Sequence, residues 1–155
     1  MFFYMKEEWL SFDHFDILDE QDQLVYSADR EFFNFGKKLI VHDAAGREAA
    51  TVQHVPFSIP CTYELSFGTQ VLELTRNFAL FSRSYCIDEL GWQIEGDFLG
   101  ADYEITKDGR LVAAISHALP AWTDRFQLEV RDPQDAMPAL LAVLAIDCCD
   151  EEHRG

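Results

Sequence analysis

Bases are scarce in this chain of 155 residues. Lys and Arg total 12 against 28 Asp and Glu, a formal charge of −16. A surface of that sign repels polyanions at long range, which weighs against general DNA or RNA binding. Cysteine is scarce too. Cys61, Cys86, Cys148 and Cys149 form no Cys-x-x-Cys pair, and no histidine follows at zinc-finger spacing. The adjacent Cys148 and Cys149 read either as a redox-active pair or, more plainly, as two small residues on a buried helix. No Pro-, Ser- or Gly-rich tract marks a linker, and no low-complexity run interrupts the chain. The longest strongly apolar stretch, Ala136 to Ile146, is too short to span a bilayer. The first residues lack a basic leader and a long apolar run, which predicts no signal peptide. A cytoplasmic, soluble protein without a transmembrane segment is the expectation. Glycine motifs for phosphate or dinucleotide binding are missing, as is a Gly-x-Ser-x-Gly elbow around Ser82 and Ser84. No enzyme activity and no cofactor are therefore expected.

What is present points to β structure. Apolar residues make up 48% and aromatics 14%, enough for one domain with a real core and against disorder. Short alternating segments recur around polar turns. Phe15–Leu18 and Gln23–Tyr26 flank Asp19–Asp22; Leu39–His42 and Ala49–Val52 flank Asp43–Gly46; Tyr63–Phe67 and Val71–Leu74 flank Gly68-Thr69; Tyr103–Thr106 and Leu111–Ile115 flank Lys107–Gly109. Each reads as a hairpin, and Asp108-Gly109 is the dipeptide that type I′ turns favour. Phe78–Ile87 and Trp92–Phe98 flank a fifth turn, Phe126–Val130 reads as a last strand, and Phe2–Met5 and the segment near Phe32–Phe35 bring the count to roughly a dozen. The end differs. Asp132-Pro133 offers helix-start chemistry, and Ala139–Ile146 is apolar with no polar stripe until Asp147. A helix apolar all round has to be buried all round. Eight strands enclose little beyond side chains, so a helix about 10 Å across needs a wider barrel. The expected fold is mainly β: a closed barrel of about twelve antiparallel strands around a buried hydrophobic C-terminal helix. A sandwich with the helix across one open end is the alternative, against which the all-round apolarity speaks. One domain is expected over residues 1–150, followed by a polar tail at 151–155.

The order of motifs resembles the LURP-one-related family, with its bacterial YxjI-like branch. The residues that carry the resemblance are Trp92–Phe98, Tyr103-Glu104-Ile105, Gly109–Ile115, Asp124–Val130 and Ala145-Ile146-Asp147, with Lys38–Asp43 and Gly46 upstream. The resemblance covers nearly the whole chain. It implies the tubby C-terminal-like fold, shared with tubby proteins and phospholipid scramblases, a twelve-stranded barrel around a hydrophobic helix. It also implies fold-maintaining roles for Asp97 and Asp124. Tubby proteins read phosphoinositides through a basic patch, and scramblases are linked to lipid movement. This chain shows no membrane anchor, palmitoylation stretch or calcium-loop pattern of that kind.

Charge narrows where a ligand would sit. Residues 1–36 hold nine acids and two bases, net −7; residues 37–86 hold four acids and five bases, net +1; residues 87–155 hold fifteen acids and five bases, net −10. An anion-binding surface therefore belongs to the middle third. Lys37, Lys38, Arg76 and Arg83 are the candidate ligand-binding residues, with Arg76 and Arg83 expected on one outer face, where Arg would give bidentate contacts to a phosphate. Scattered solubilising charge is the competing reading. Asp13, His14 and Asp16 mix metal-ligand types, but a strand sends Asp13 to the opposite face, and two ligands make no closed site; no metal is expected. Asp147 is expected to be buried and structural, bonded to barrel backbone or paired with Arg125. A barrel plugged by its own helix has no lumen for a small molecule. The expected function is a non-enzymatic binding module whose outer face engages an anionic phospholipid or phosphoinositide headgroup, or a protein. An adaptor for a basic protein partner and an enzyme with an unrecognised site are the alternatives.

Overall fold

Twelve strands and one long helix realise the alternation. The computed structural model describes residues 1–6, 14–33, 36–77, 83–117 and 125–154. In chain order the elements are β1 (Phe2–Lys6), β2 (His14–Leu18), β3 (Leu24–Phe33), β4 (Gly36–Asp43), β5 (Glu48–His54), β6 (Thr62–Phe67), β7 (Gln70–Asn77), β8 (Ser84–Ile87), β9 (Trp92–Asp97), β10 (Asp102–Lys107), β11 (Arg110–His117), β12 (Arg125–Val130) and α1 (Ala136–Arg154). Each strand pairs antiparallel with its sequence neighbours, and β1 pairs with both β12 and β2, which closes the barrel. The segment near Phe32 is no separate strand, because β3 runs ten residues through Phe33. Of the expected strand Phe78–Ile87, residues 78–82 lie outside the described residues, and the strand described there is β8.

Connections alternate between two ends. The turn end holds the β2–β3, β4–β5, β6–β7, β8–β9 and β10–β11 turns. These close by backbone and Asx hydrogen bonds. The Asp19 carboxylate accepts from the Gln21 and Gln23 N–H groups at 2.8 and 2.9 Å. Asp43 repeats the device with Ala45 and Arg47 at 2.9 and 3.0 Å. Asp108 and Gly109 adopt φ of +50° and +78°, as a type I′ turn demands. The loop end holds the longer β5–β6 connection and the β9–β10 turn, along with the ends of β3, β7 and β11.

The helix enters at the turn end. Asp132 caps a single tight turn by accepting from the Gln134 N–H at 3.3 Å, Pro133 needs no donor there, and α1 follows. Ala139 through Ile146 are all 0–1% exposed, with Leu39, Val41, Leu65, Leu74, Ile94 and Leu128 among the wall residues that share their core. Burying each large aliphatic side chain of the helix contributes about 1.5–3 kcal/mol to holding the wall around it. α1 continues through Arg154, so residue 150 is not a break in secondary structure. Among the described residues, no helix is long and apolar enough to cross a membrane.

Candidate functional site at the loop end of the barrel

Strand alternation decides where each candidate base points. On β7, Leu72 and Leu74 face inward, so Arg76 is in phase with the interior rather than the outer wall. Tyr85 and Ile87 face inward on β8, and Arg83, one residue before the strand, shares their phase. This corrects the expected outer-face placement of Arg76, which stands opposite inward Tyr85 at the inner rim. Lys37 is in phase with inward Leu39 and Val41. Lys38 alone faces outward, across from Glu31 on β3 and Gln53 on β5.

All four sit at the loop end, and three more groups join them there. Arg30 shares the phase of Ala28, His54 that of Val52, and His117 that of Ile115. His54 meets Tyr63 edge-on at 5.2 Å, and the His117 ring nitrogen reaches the Gly100 carbonyl at 3.0 Å. The C-terminal end of α1, where helical carbonyls carry partial negative charge, comes to this same rim and bears Asp147, Asp150, Glu151 and Glu152 in sequence. Arg30, Lys37, Lys38, Arg76, Arg83 and Asp147 are all engaged with neighbouring groups.

The residues expected to be structural separate. Asp97 is exposed and accepts from the Gly100 N–H at 2.9 Å, closing the β9–β10 turn. Asp147 is half-buried rather than fully buried. Arg125 faces outward and bonds Asp22 at 2.6 Å, so its guanidinium goes to a turn on the outside rather than to the helix. Asp124 lies outside the described residues.

Two features of the loop end escape sequence reasoning. Phe57 and Ile59, on the β5–β6 connection, are each 87% exposed, and Leu99, on the β9–β10 turn, is 65% exposed. Phe57 holds φ of +60°, a left-handed conformation that costs a bulky residue about 1–2 kcal/mol. Its loop is fixed around it: the Ser58 hydroxyl donates to the Val55 carbonyl at 2.8 Å and accepts from the Thr62 N–H at 3.0 Å. The second feature is thiol chemistry. Cys61 and Cys149 bring their sulfurs to 3.5 Å. Cys86 is different: burial first, then the Asp88 charge, pushes its thiol pKa up and leaves it a poor nucleophile.

On the outer wall, His14 Nδ1 bonds Asp29 at 2.6 Å, Asp29 reaches His42 Nδ1 at 3.1 Å, and Asp16 stands 3.3 Å from His14 Nε2. The hydrogen bond to Asp29 raises the His14 pKa, desolvation opposes it, and the charges of Asp29 and Asp16 add to the rise. Among the described residues, no group of three or more His, Cys, Asp or Glu is placed to hold a metal ion. A shallow open groove at the turn end, lined by Glu48, Thr51, Ser66 and Phe67 among others, gathers no converging set of titratable groups.

Comparison with known proteins adds three findings. The LURP-one-related family model matches residues 1–147. The uncharacterized protein YxjI of Bacillus subtilis (strain 168) is 25% identical over 146 residues, covering 93% of this chain and 90% of that protein. An X-ray structure of a protein from Arabidopsis thaliana superposes with a TM-score of 0.63 at 13% identity, covering 94% of this chain and 90% of that one, and shares the fold.

Proposed function

Because the chain belongs to the LURP-one-related family, a fold whose own helix fills the barrel here, we propose a non-enzymatic role: the loop end docks on an anionic phospholipid surface. The observation that carries this reading is the pair Phe57 and Ile59, both 87% exposed on one loop at the end where the bases gather. Apolar tips enter the acyl boundary, while Lys and Arg beside them meet phosphates. The turn-end connections hold Asp19, Glu20, Asp22, Asp43, Asp88, Glu89 and Asp108 against Arg47 and Lys107, and an anionic surface repels them.

Co-sedimentation with vesicles tests the reading. Phosphatidylserine or phosphoinositide vesicles are expected to bind more protein than phosphatidylcholine alone, and added salt to weaken the binding. Phe57→Ser with Ile59→Ser removes about 3 kcal/mol or more of apolar burial, so binding falls about a hundredfold. Lys38→Glu weakens binding at low salt only. No binding to anionic vesicles at low salt overturns the proposal. A second reading then takes over, favoured by the acidic turn end: an adaptor that holds a basic protein.

A further inference from the structure

We propose that Cys61 and Cys149 form a redox-modifiable pair, closed by a peroxide-class oxidant into a disulfide that ties the barrel wall to the helix inside it. Cys61 ends the β5–β6 connection, immediately before β6, and is partly exposed. Cys149 sits on α1 and is 0% exposed. Their sulfurs are 3.5 Å apart, so a bond of about 2.0 Å needs only a small approach. The arrangement divides the labour between an accessible thiol that meets the oxidant and a buried one that resolves it. Cys61 attacks hydrogen peroxide; the O–O bond breaks, Cys61 becomes a sulfenic acid and water leaves. The Cys149 sulfur then attacks Cys61 Sγ; the S–O bond breaks, and a second water leaves with the Cys149 proton. Two thiols lose two electrons and the peroxide is reduced to water. Return to the thiols needs a dithiol reductant.

The neighbouring thiols do not offer this. Cys148 is buried, and on a helix it projects about 100° around the axis from Cys149, so the adjacent pair in sequence is not the pair in space. Cys86 bonds Asn77 at 3.4 Å on the wall instead. The cross-link would join residues 88 apart in sequence, so it constrains most of the unfolded chain.

The test oxidises the reduced full chain with stepwise hydrogen peroxide, blocks remaining thiols, and maps peptides without reduction. The expected product is a Cys61–Cys149 linked peptide, lost on dithiothreitol treatment, absent from Cys61→Ser and Cys149→Ser, and retained in Cys148→Ser. Thermal melting of the oxidised protein is expected to rise by roughly 5–10 °C, and not to rise in Cys61→Ser. Cys61 accumulating as sulfinic acid while Cys149 stays a thiol overturns the proposal. A linked peptide containing Cys148 or Cys86 in place of Cys149 overturns it as well.

Discussion

The two ends of the barrel are built on different principles. At the turn end the chain reverses in two to five residues, each reversal is closed by backbone or Asx hydrogen bonds, and the exposed side chains are mostly acids. At the loop end the β5–β6 connection runs seven residues, the apolar tips Phe57, Ile59 and Leu99 face solvent, and the inner rim carries bases. Hydrogen bonds satisfied within a turn leave nothing for a partner. Exposed apolar side chains, in contrast, hold free energy that only a second surface can recover. The contrast teaches that an end can be finished by its own backbone or left to be finished by something else.

The comparison can be broken first at what both ends share. Leu144 is 0% exposed on the threaded helix, and Leu144→Ala is expected to cost about 2–5 kcal/mol, read from the urea midpoint. A loss under about 1 kcal/mol would mean that the wall closes without the helix. The next effect belongs to the loop-end side. Gly96 on β9 holds φ of +141°, and a Cβ there would stand 2.6 Å from the Tyr103 Cα on β10. Gly96→Ala is expected to cost about 3 kcal/mol, because backbone rather than a flexible side chain must move.

A smaller pair of effects separates the ends by pH. At the turn end, the backbone hydrogen bond from Arg47, aided by that from Ala45, lowers the Asp43 pKa. A depressed carboxylate contributes stability above its unfolded value, and that stability is lost as pH falls through the folded value. On the outer wall, where β2 starts at the loop end, His14 is raised by Asp29. Its contribution is full below the ordinary imidazole value and lost as pH rises through the raised one. Asp43→Asn should therefore flatten the acid limb of the melting profile alone, and His14→Gln the limb above the ordinary imidazole value alone. One substitution moving both limbs would dissolve the distinction. The smallest stability effect is expected at Phe57, where Phe57→Gly relieves the left-handed strain and gains about 0.5 kcal/mol while weakening vesicle binding. A stability gain without a binding loss would detach the strain from the docking role.

Much of the fold was legible. Asp108-Gly109 specified its turn locally, and the all-round apolarity of Ala139–Ile146 favoured an enclosed helix over one lying across an open end. The phase of Arg76 was legible too, because Leu72 and Leu74 alternate with exposed Glu73, yet counting bases by region obscured it. Arg83 was harder: Tyr85-Cys86-Ile87 is buried throughout, and a continuous buried run conceals which side faces in. The His14–Asp29–His42 chain required the β2–β3–β4 register, which a one-residue slip would have undone.

By itself the sequence determined the elements and their enclosure, because turn chemistry, two-residue alternation and an unbroken apolar helix act over a few neighbouring residues. Only the tertiary structure decided that Lys37, Lys38 and Arg76 come to one end of the barrel, that Phe57 and Ile59 stand in solvent, and that Cys149 meets Cys61 rather than Cys148. Those facts depend on how far each strand slides past its neighbour when the barrel closes, and on how deep the helix sits inside it. Both are set by the packing of all twelve strands at once.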